Sequence, residues 1–100
     1  MSAMQENRSE FCVQSNHPCL PGHFPGQPLV PAVVMLDQVA ARLRAWRNVR
    51  VSRLLSARFS APLLPGQRAT LLLRTQADDC RFSILCGEQE IARGRMETVA

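Results

Sequence analysis

The sequence predicts an α+β domain in which an antiparallel sheet wraps around one long helix. The segment Pro31–Trp46 is rich in apolar residues and contains no glycine or further proline, as expected of a buried helix. From Val49 onward, apolar and polar residues alternate in segments separated by turn residues, which is typical of strands with one apolar face. A sheet that curves around the helix buries both apolar surfaces at once.

Length and composition predict one domain over residues 1–100, with residues 1–9 as a flexible N-terminus. Hydrophobic residues make up 46% and charged residues 20% of the chain, which is ordinary for a globular protein and excludes a disordered one. The longest uncharged apolar run, Leu29–Leu36, is too short to cross a bilayer, and MSAMQENRSE contains no signal-peptide core. We therefore expect a cytoplasmic protein.

The first elements are a short strand over Glu10–Gln14 and the helix over Pro31–Trp46. An alternative makes Leu29–Leu36 a buried strand and Asp37 the N-cap of a shorter helix. The valines of that segment favour a strand, but Pro31 inside a central strand counts against it. The long helix is the preferred interpretation.

Four strands are predicted after the helix, joined as an antiparallel meander. They cover Val49–Ala61, a segment around Ala69–Thr75, Cys80–Cys86 and Gln89–Met96, with PLLPGQ, Ala77–Asp79 and Gly87–Glu88 as the turns. In the strand Val49–Ala61, only Arg53 interrupts an otherwise apolar face, which we expect to be buried. The apolar residues on that face are Val49, Val51, Leu55, Ala57, Phe59 and Ala61.

The cysteines predict neither a disulfide framework nor a metal site. Cys12, Cys19, Cys80 and Cys86 contain no CxxC pair, and without an export signal we expect reduced and mostly buried thiols. Cys19 lies between His17 and His23, but this spacing matches no established zinc pattern. No metal and no cofactor are predicted.

All twelve basic residues are arginine, and the net charge is +4. The arginines are scattered through strand-like segments and aromatics make up only 5% of the chain, so stacking platforms for nucleic acid are scarce. An acidic protein partner and a plain solvated face both remain open.

A loop before the helix, from Asn16 to Pro28, contains four prolines and both histidines, and Pro31 follows it. Unstructured loops of this length are uncommon in compact domains unless they are functional or disordered. Because each proline fixes its φ and restricts the preceding residue, the path of the loop is largely predetermined. We interpret this loop as part of a functional site.

The chemistry available here is one imidazole and one carboxylate, His23 and Asp37. An aspartate among Val33, Val34, Ala40 and Ala41 on a buried helical surface should be desolvated, which raises its pKa toward values useful for proton donation. With a histidine near neutrality, it forms a general acid and base pair.

The free amides of Ala32, Val33 and Val34 at the helix N-terminus could stabilise an oxyanion. Together with the base and the acid, these groups suit proton abstraction next to a carbonyl. In the alternative, His23 bonds a loop carbonyl and Asp37 satisfies backbone amides.

The segment from Asn16 to Asp37 resembles the signature of the 3-hydroxyacyl-acyl carrier protein dehydratases of bacterial type II fatty acid synthesis. The register matches without gaps, and ARFSAPLLPGQ is similar to a strand and turn of the same family. The matching residues are Asn16, Pro18, Gly22, His23, Phe24, Pro25, Gly26, Pro28, Pro31, Leu36 and Asp37.

The resemblance implies a hotdog fold and a dimer in which His23 of one subunit faces Asp37 of the other. It implies dehydration of a 3-hydroxyacyl thioester, borne on the phosphopantetheine of an acidic acyl carrier protein, to a trans-2-enoyl thioester. Fatty acid or polyketide-like synthesis of the aryl polyene type would use this step. Phe24, Gly26, Ala32 and Val33 would contact the substrate.

Three positions depart from the family pattern. Ala32 replaces a glycine, Asp37 stands where most members have glutamate, and Ala41 replaces a common glutamine. These departures, with a chain shorter than typical members, leave two alternatives open. One is a non-catalytic acyl-binding or structural subunit that partners an active paralogue, and the other is an acyl thioesterase in which Asp37 activates water.

Overall fold

The computed structural model describes residues 4–14 and 29–100, which form one helix and five strands. All five strands belong to one antiparallel sheet with the order β1-β3-β4-β5-β2. In chain order the elements are β1 (Gln5–Cys12), α1 (Ala32–Arg47), β2 (Arg50–Phe59), β3 (Arg68–Gln76), β4 (Asp79–Cys86) and β5 (Gln89–Val99).

The long helix is confirmed, and the alternative strand over Leu29–Leu36 is wrong. Pro31 is the N-cap residue with extended backbone angles (φ −63°, ψ 150°), so α1 begins at Ala32, one residue later than predicted. Asp37 lies inside the helix and does not cap it. The helix ends at Arg47, where Asn48 adopts a left-handed conformation and donates its amide to the Arg44 carbonyl.

The core lies between α1 and the three central strands, as the alternation predicts. Every second residue of β3 and β4 is buried, and these side chains meet one face of the helix. The buried helix residues are Val34, Met35, Val39 and Leu43, and the buried strand residues include Ala69, Leu71, Leu73, Cys80, Phe82, Ile84, Ile91, Ala92 and Met96.

The first strand is longer than predicted and begins at Gln5. Residues 5–9, assigned from the sequence to a flexible N-terminus, pair with β3 instead. The sequence did not predict this part of the strand because it is polar, and its charged residues make ion pairs across the sheet. Glu6 Oε1 lies 3.2 Å from Arg74 Nε, and Glu10 Oε2 lies 3.6 Å from Arg68 Nη1. Backbone pairing with β3 holds β1 without an apolar face.

Only β3, β4 and β5 form a meander, so the predicted connection between β2 and β3 is wrong. β2 pairs with β5 at one edge of the sheet, and the chain then crosses to β3. The PLLPGQ segment is therefore a crossover and not a hairpin turn. It is fixed by Leu63, which is fully buried and accepts a hydrogen bond of 2.9 Å from the Val30 amide.

The predicted buried face of the second strand holds only at its ends: Val49, Val51 and Ala61 are half-buried against the core, but all residues from Ser52 to Phe59 are exposed. A helix is about 10 Å wide and strands are about 4.8 Å apart, so α1 covers the central strands and not the edge. Arg53 interrupts the apolar alternation of this strand because the pairing with β5 contains two register shifts. The shifts place Arg53 opposite Glu97 on the outer face and Leu54 opposite Met96 on the inner face.

The cysteines are less buried than predicted. Cys80 is buried, but Cys86 is half-buried and Cys12 is exposed, while Cys19 lies outside the described residues. Within residues 4–14 and 29–100, no helix has the length and apolar character needed to span a membrane.

Candidate functional site

The backbone amides in the first turn of α1 differ in whether they have an acceptor. Pro31 provides no side-chain cap, and its carbonyl accepts the amides of Val34 at 3.0 Å and Met35 at 3.3 Å. The amide of Val34, predicted to be free, is therefore occupied. The amides of Ala32 and Val33 have no backbone acceptor among the described residues, and they lie at the positive end of the helix dipole.

An apolar depression of about 550 Å³ opens beside these amides. It lies between the segment that enters α1 and the end of β2, and the hydrogen bond from Val30 to Leu63 holds its two sides together. Such a surface can hold an acyl chain with its carbonyl toward the helix N-terminus. Its lining residues are Leu29, Val30, Pro31, Ala32, Met35, Phe59, Ser60, Ala61 and Pro62.

Asp37 does not line this depression. It lies on the side of α1 that faces away from the core, in an exposed stripe formed by Val33, Asp37, Ala41 and Arg44, hereafter the helix stripe. The predicted desolvation of Asp37 is therefore wrong for the single chain. The prediction failed because two of the apolar neighbours it relied on, Val33 and Ala41, are themselves exposed.

The carboxylate of Asp37 makes no ion pair or hydrogen bond with another described side chain. The other predicted site residues, His23, Phe24 and Gly26, lie outside the described residues. Their roles, and the meeting of His23 with Asp37, stay predictions.

One wall of the depression, formed by Phe59, Ser60, Ala61 and Pro62, is not predicted from the sequence. The apolar PLLPGQ segment was interpreted as a turn, although Leu63 and Leu64 are unusual in an exposed turn. Two leucines between two prolines were the available signal for a packed connection.

No cluster of three or more histidine, cysteine or acidic residues able to hold a metal ion occurs in the described ranges. The possible ligands His17, Cys19 and His23 lie outside these ranges.

The sequence model of the ApeI-like family, described as ApeI dehydratase, matches residues 2–95. The chain is also similar to the 3-hydroxyacyl-acyl carrier protein dehydratase FabZ of Mannheimia succiniciproducens, with 35% identity over 61% of this chain and 47% of that protein. The chain thus spans about half the length of the curated relatives it matches.

Two solved structures share the fold. An uncharacterised protein from Erwinia carotovora subsp. atroseptica superposes with a TM-score of 0.81 and 26% identity, over 96% of this chain and 84% of that one. The dehydratase heterocomplex ApeI:P from Xenorhabdus doucetiae superposes with a TM-score of 0.77 and 23% identity, over 98% and 95% of the two chains. The predicted hotdog fold is confirmed.

Proposed function

Because the chain belongs to the ApeI-like dehydratase family, we propose that it dehydrates a 3-hydroxyacyl thioester carried on the phosphopantetheine of an acyl carrier protein. The observation that carries this proposal is the apolar depression lined by Ala32 at the start of α1, where the amides of Ala32 and Val33 have no backbone acceptor in the described part of the chain. A fatty acid or an aryl polyene type of polyketide pathway would use this reaction, and such a role implies a cytoplasmic protein.

In the proposed reaction His23 is the base and Asp37 the acid. The imidazole of His23 removes the C2 proton while the amides of Ala32 and Val33 donate hydrogen bonds to the thioester oxygen, which gains negative charge. The C2–H electron pair forms the C2=C3 double bond, the C3–O bond breaks, and Asp37 protonates the departing hydroxyl to give water. Proton transfer from His23 to Asp37 through solvent restores both groups.

The surfaces left exposed by one chain support an assembly of two. Among the described strands, β2 is a sheet edge whose outer backbone groups pair with no other strand, and Leu54, Leu55 and Phe59 are exposed along it. Long apolar edge strands are normally covered, since they otherwise pair with other chains without control. A second chain over β2 and the helix stripe would desolvate Asp37, as the proposed acid requires.

Ala32 bears on whether this chain is active by itself. Its methyl group lines the depression where the family has glycine, and it lies beside the amide that would bind the substrate oxygen. With Ala41 in the helix stripe, it favours a second candidate function, a non-catalytic acyl-binding subunit that partners an active paralogue.

The test is a product analysis with synthetic 3-hydroxyacyl thioesters of several chain lengths, on a small pantetheine analogue and on a carrier protein. We expect trans-2-enoyl thioester and water from the wild type. His23→Ala should abolish this activity, with His17→Ala as the matched control. Asp37→Asn should lower the rate by about 10²- to 10⁴-fold, with Glu88→Gln in an exposed turn as its control.

The alternatives give different results in the same assay. Release of free thiol without an enoyl product would indicate a thioesterase. Activity that appears only after mixing with a paralogue, and that survives His23→Ala, would indicate a non-catalytic subunit. An inactive wild type across all substrates and carriers would contradict the proposed reaction.

A further inference from the structure

The outer face of the sheet, opposite α1, carries a concentration of arginine that the proposed reaction does not use. Five arginines line one shallow depression of about 640 Å³ on this face, and all five are exposed. We call this surface the arginine face. It consists of Arg58, Arg74, Arg81, Arg93 and Arg95.

The strand register places these arginines directly opposite one another. Arg81 is the cross-strand partner of Arg74 on one side and of Arg95 on the other, so three cations form one row across β3, β4 and β5. Arg58 and Arg93 are partners in a second row across β2 and β5. Like charges directly opposite on a sheet are destabilising, so this arrangement is unfavourable for folding.

Carboxylates at the margin offset only part of this charge. Glu6 lies 3.2 Å from Arg74 and Glu90 lies 3.5 Å from Arg93. The carboxylate of Asp79 contacts two arginines: its Oδ1 lies 2.5 Å from Arg95 Nε, and its Oδ2 lies 3.8 Å from Arg81 Nε. Arg58 has no ion pair among the described residues. Three carboxylates thus contact four of the five arginines, and these exposed pairs contribute little to stability.

The shape of the arginine face suits a helix. Its floor includes the small residues Ser56, Ser83 and Gly94 and the half-buried Leu72, so the guanidinium groups stand above a shallow trough. Residues two apart on a strand are about 7 Å apart, which sets the distance between the two arginine rows. Glutamates or aspartates four residues apart on a helix are about 6 Å apart, so both rows can be contacted from one helix face.

We propose that the arginine face is a docking surface for an acidic helix of a partner protein. Arginine binds carboxylates through two parallel hydrogen bonds, and a row of carboxylates would relieve the repulsion between opposed guanidinium groups. A nucleic acid fits less well because this face has no aromatic platform: the one aromatic residue lining it, Phe82, is 1% exposed and belongs to the core. The inference does not depend on the proposed reaction, whose site lies on the other side of the sheet.

The experiment measures binding of a labelled synthetic helical peptide with glutamates four residues apart, by fluorescence anisotropy at low and high salt. The matched peptide with glutamine at those positions is the ligand control. Arg81→Glu removes the centre of the three-arginine row, and Arg44→Glu on the exposed side of α1 changes the net charge equally. Thermal unfolding of each variant is measured in parallel, and Arg93→Gln is a milder second variant on the arginine face.

We expect Arg81→Glu to weaken binding of the acidic peptide by about tenfold at low salt while raising the unfolding temperature, since glutamate would then lie between Arg74 and Arg95. Arg93→Gln should weaken binding by about threefold, and Arg44→Glu should leave it within about twofold. Equal losses in Arg81→Glu and Arg44→Glu would overturn the proposal, as would equal binding of the glutamine peptide. Tighter binding of duplex DNA, with the same dependence on Arg81, would replace the acidic helix with nucleic acid.

Discussion

The edge strand β2 and the central strands β3 to β5 have equally clear apolar alternation, yet they end in opposite environments. Phe82 in β4 and Phe59 in β2 both lie on the inner face of the sheet, and their side chains are 1% and 38% exposed. Alternation therefore shows which residues share a face, while the width of the helix decides which strands of that face are covered. An apolar face that this chain leaves uncovered points to a cover from another chain.

The largest expected contrast comes from truncating these two phenylalanines. Phe82→Ala should lower the free energy of unfolding by about 3–5 kcal/mol, because it leaves a cavity in the core. Phe59→Ala should lower it by no more than about 1 kcal/mol at concentrations where the chain is monomeric. Urea unfolding followed by circular dichroism measures both. Equal losses in dilute protein would contradict the contrast between edge and centre.

The junction between the two regions should be nearly as sensitive. Gly94 in β5 pairs with Ala57 of β2 on one side and with Phe82 on the other. A Cβ atom at Gly94 would lie 2.5 and 2.6 Å from the Phe82 ring and would also collide with the carbonyl of Ser56. Gly94→Ala should therefore destabilise the protein by about 3 kcal/mol through overpacking.

A double-mutant cycle identifies the source of this strain. In a Phe82→Leu background, Gly94→Ala should cost less than it does in the wild type, because the ring that it strikes is gone. The same urea titration gives the coupling energy. Strict additivity of the two substitutions would show that the ring is not what requires glycine at this position.

The core should also give a pH dependence that β2 does not. Burial, and next the charge of Asp79, raise the pKa of the Cys80 thiol from 9.0 to about 11. The unfolded thiol ionises near pH 9 and the folded one near pH 11, so its contribution to stability is complete below pH 9 and is lost as the pH rises to 11. The loss should reach about 2.5 kcal/mol.

The sequence makes this measurement unusually clean, because it contains no lysine and no tyrosine. Only cysteine side chains ordinarily titrate between pH 9 and 11. Across this window the unfolding free energy of the wild type should fall more steeply with pH than that of Cys80→Ala. Identical slopes would assign the effect to the other cysteines.

The smallest expected effect lies in the turn between β3 and β4. Ala77 has a φ of 53°, a left-handed conformation that glycine adopts without strain. Ala77→Gly should stabilise the protein by about 0.5–1 kcal/mol, the relieved strain exceeding the added entropy of the unfolded chain. Thermal unfolding detects this shift, and a lower unfolding temperature would contradict it.

The sequence predicts the interior of this fold better than its borders. The helix and the central strands follow from periodicity, since their patterns are set by packing against each other. The start of β1 at Gln5 was missed because ion pairs and backbone pairing, not apolar packing, hold that strand. The place of β2 beside β5 was missed because strand order depends on a crossover whose apolar residues resembled a turn.

The candidate site likewise has one part that the sequence predicts and another that it does not. The helix start near Pro31 follows from local backbone rules, although Pro31 caps the helix and does not begin it. Among the described residues the amides of Ala32 and Val33 have no backbone acceptor, as the sequence predicts. The exposure of Asp37 could not be predicted, because it depends on which side of an apolar helix meets the sheet. Most residues that carry the family resemblance, including His23, lie outside the described residues, so how they meet Asp37 stays a prediction.

The central claim is that the site is completed by two chains, and mixing two inactive variants tests it most directly. His23→Ala and Asp37→Asn are purified separately, mixed under conditions that exchange subunits, and assayed with a 3-hydroxyacyl thioester. If His23 of one chain works with Asp37 of the other, half of the dimers regain one intact site, and activity returns to about a quarter of the wild-type value. A mixture that exchanges subunits and stays as inactive as its components would contradict the account.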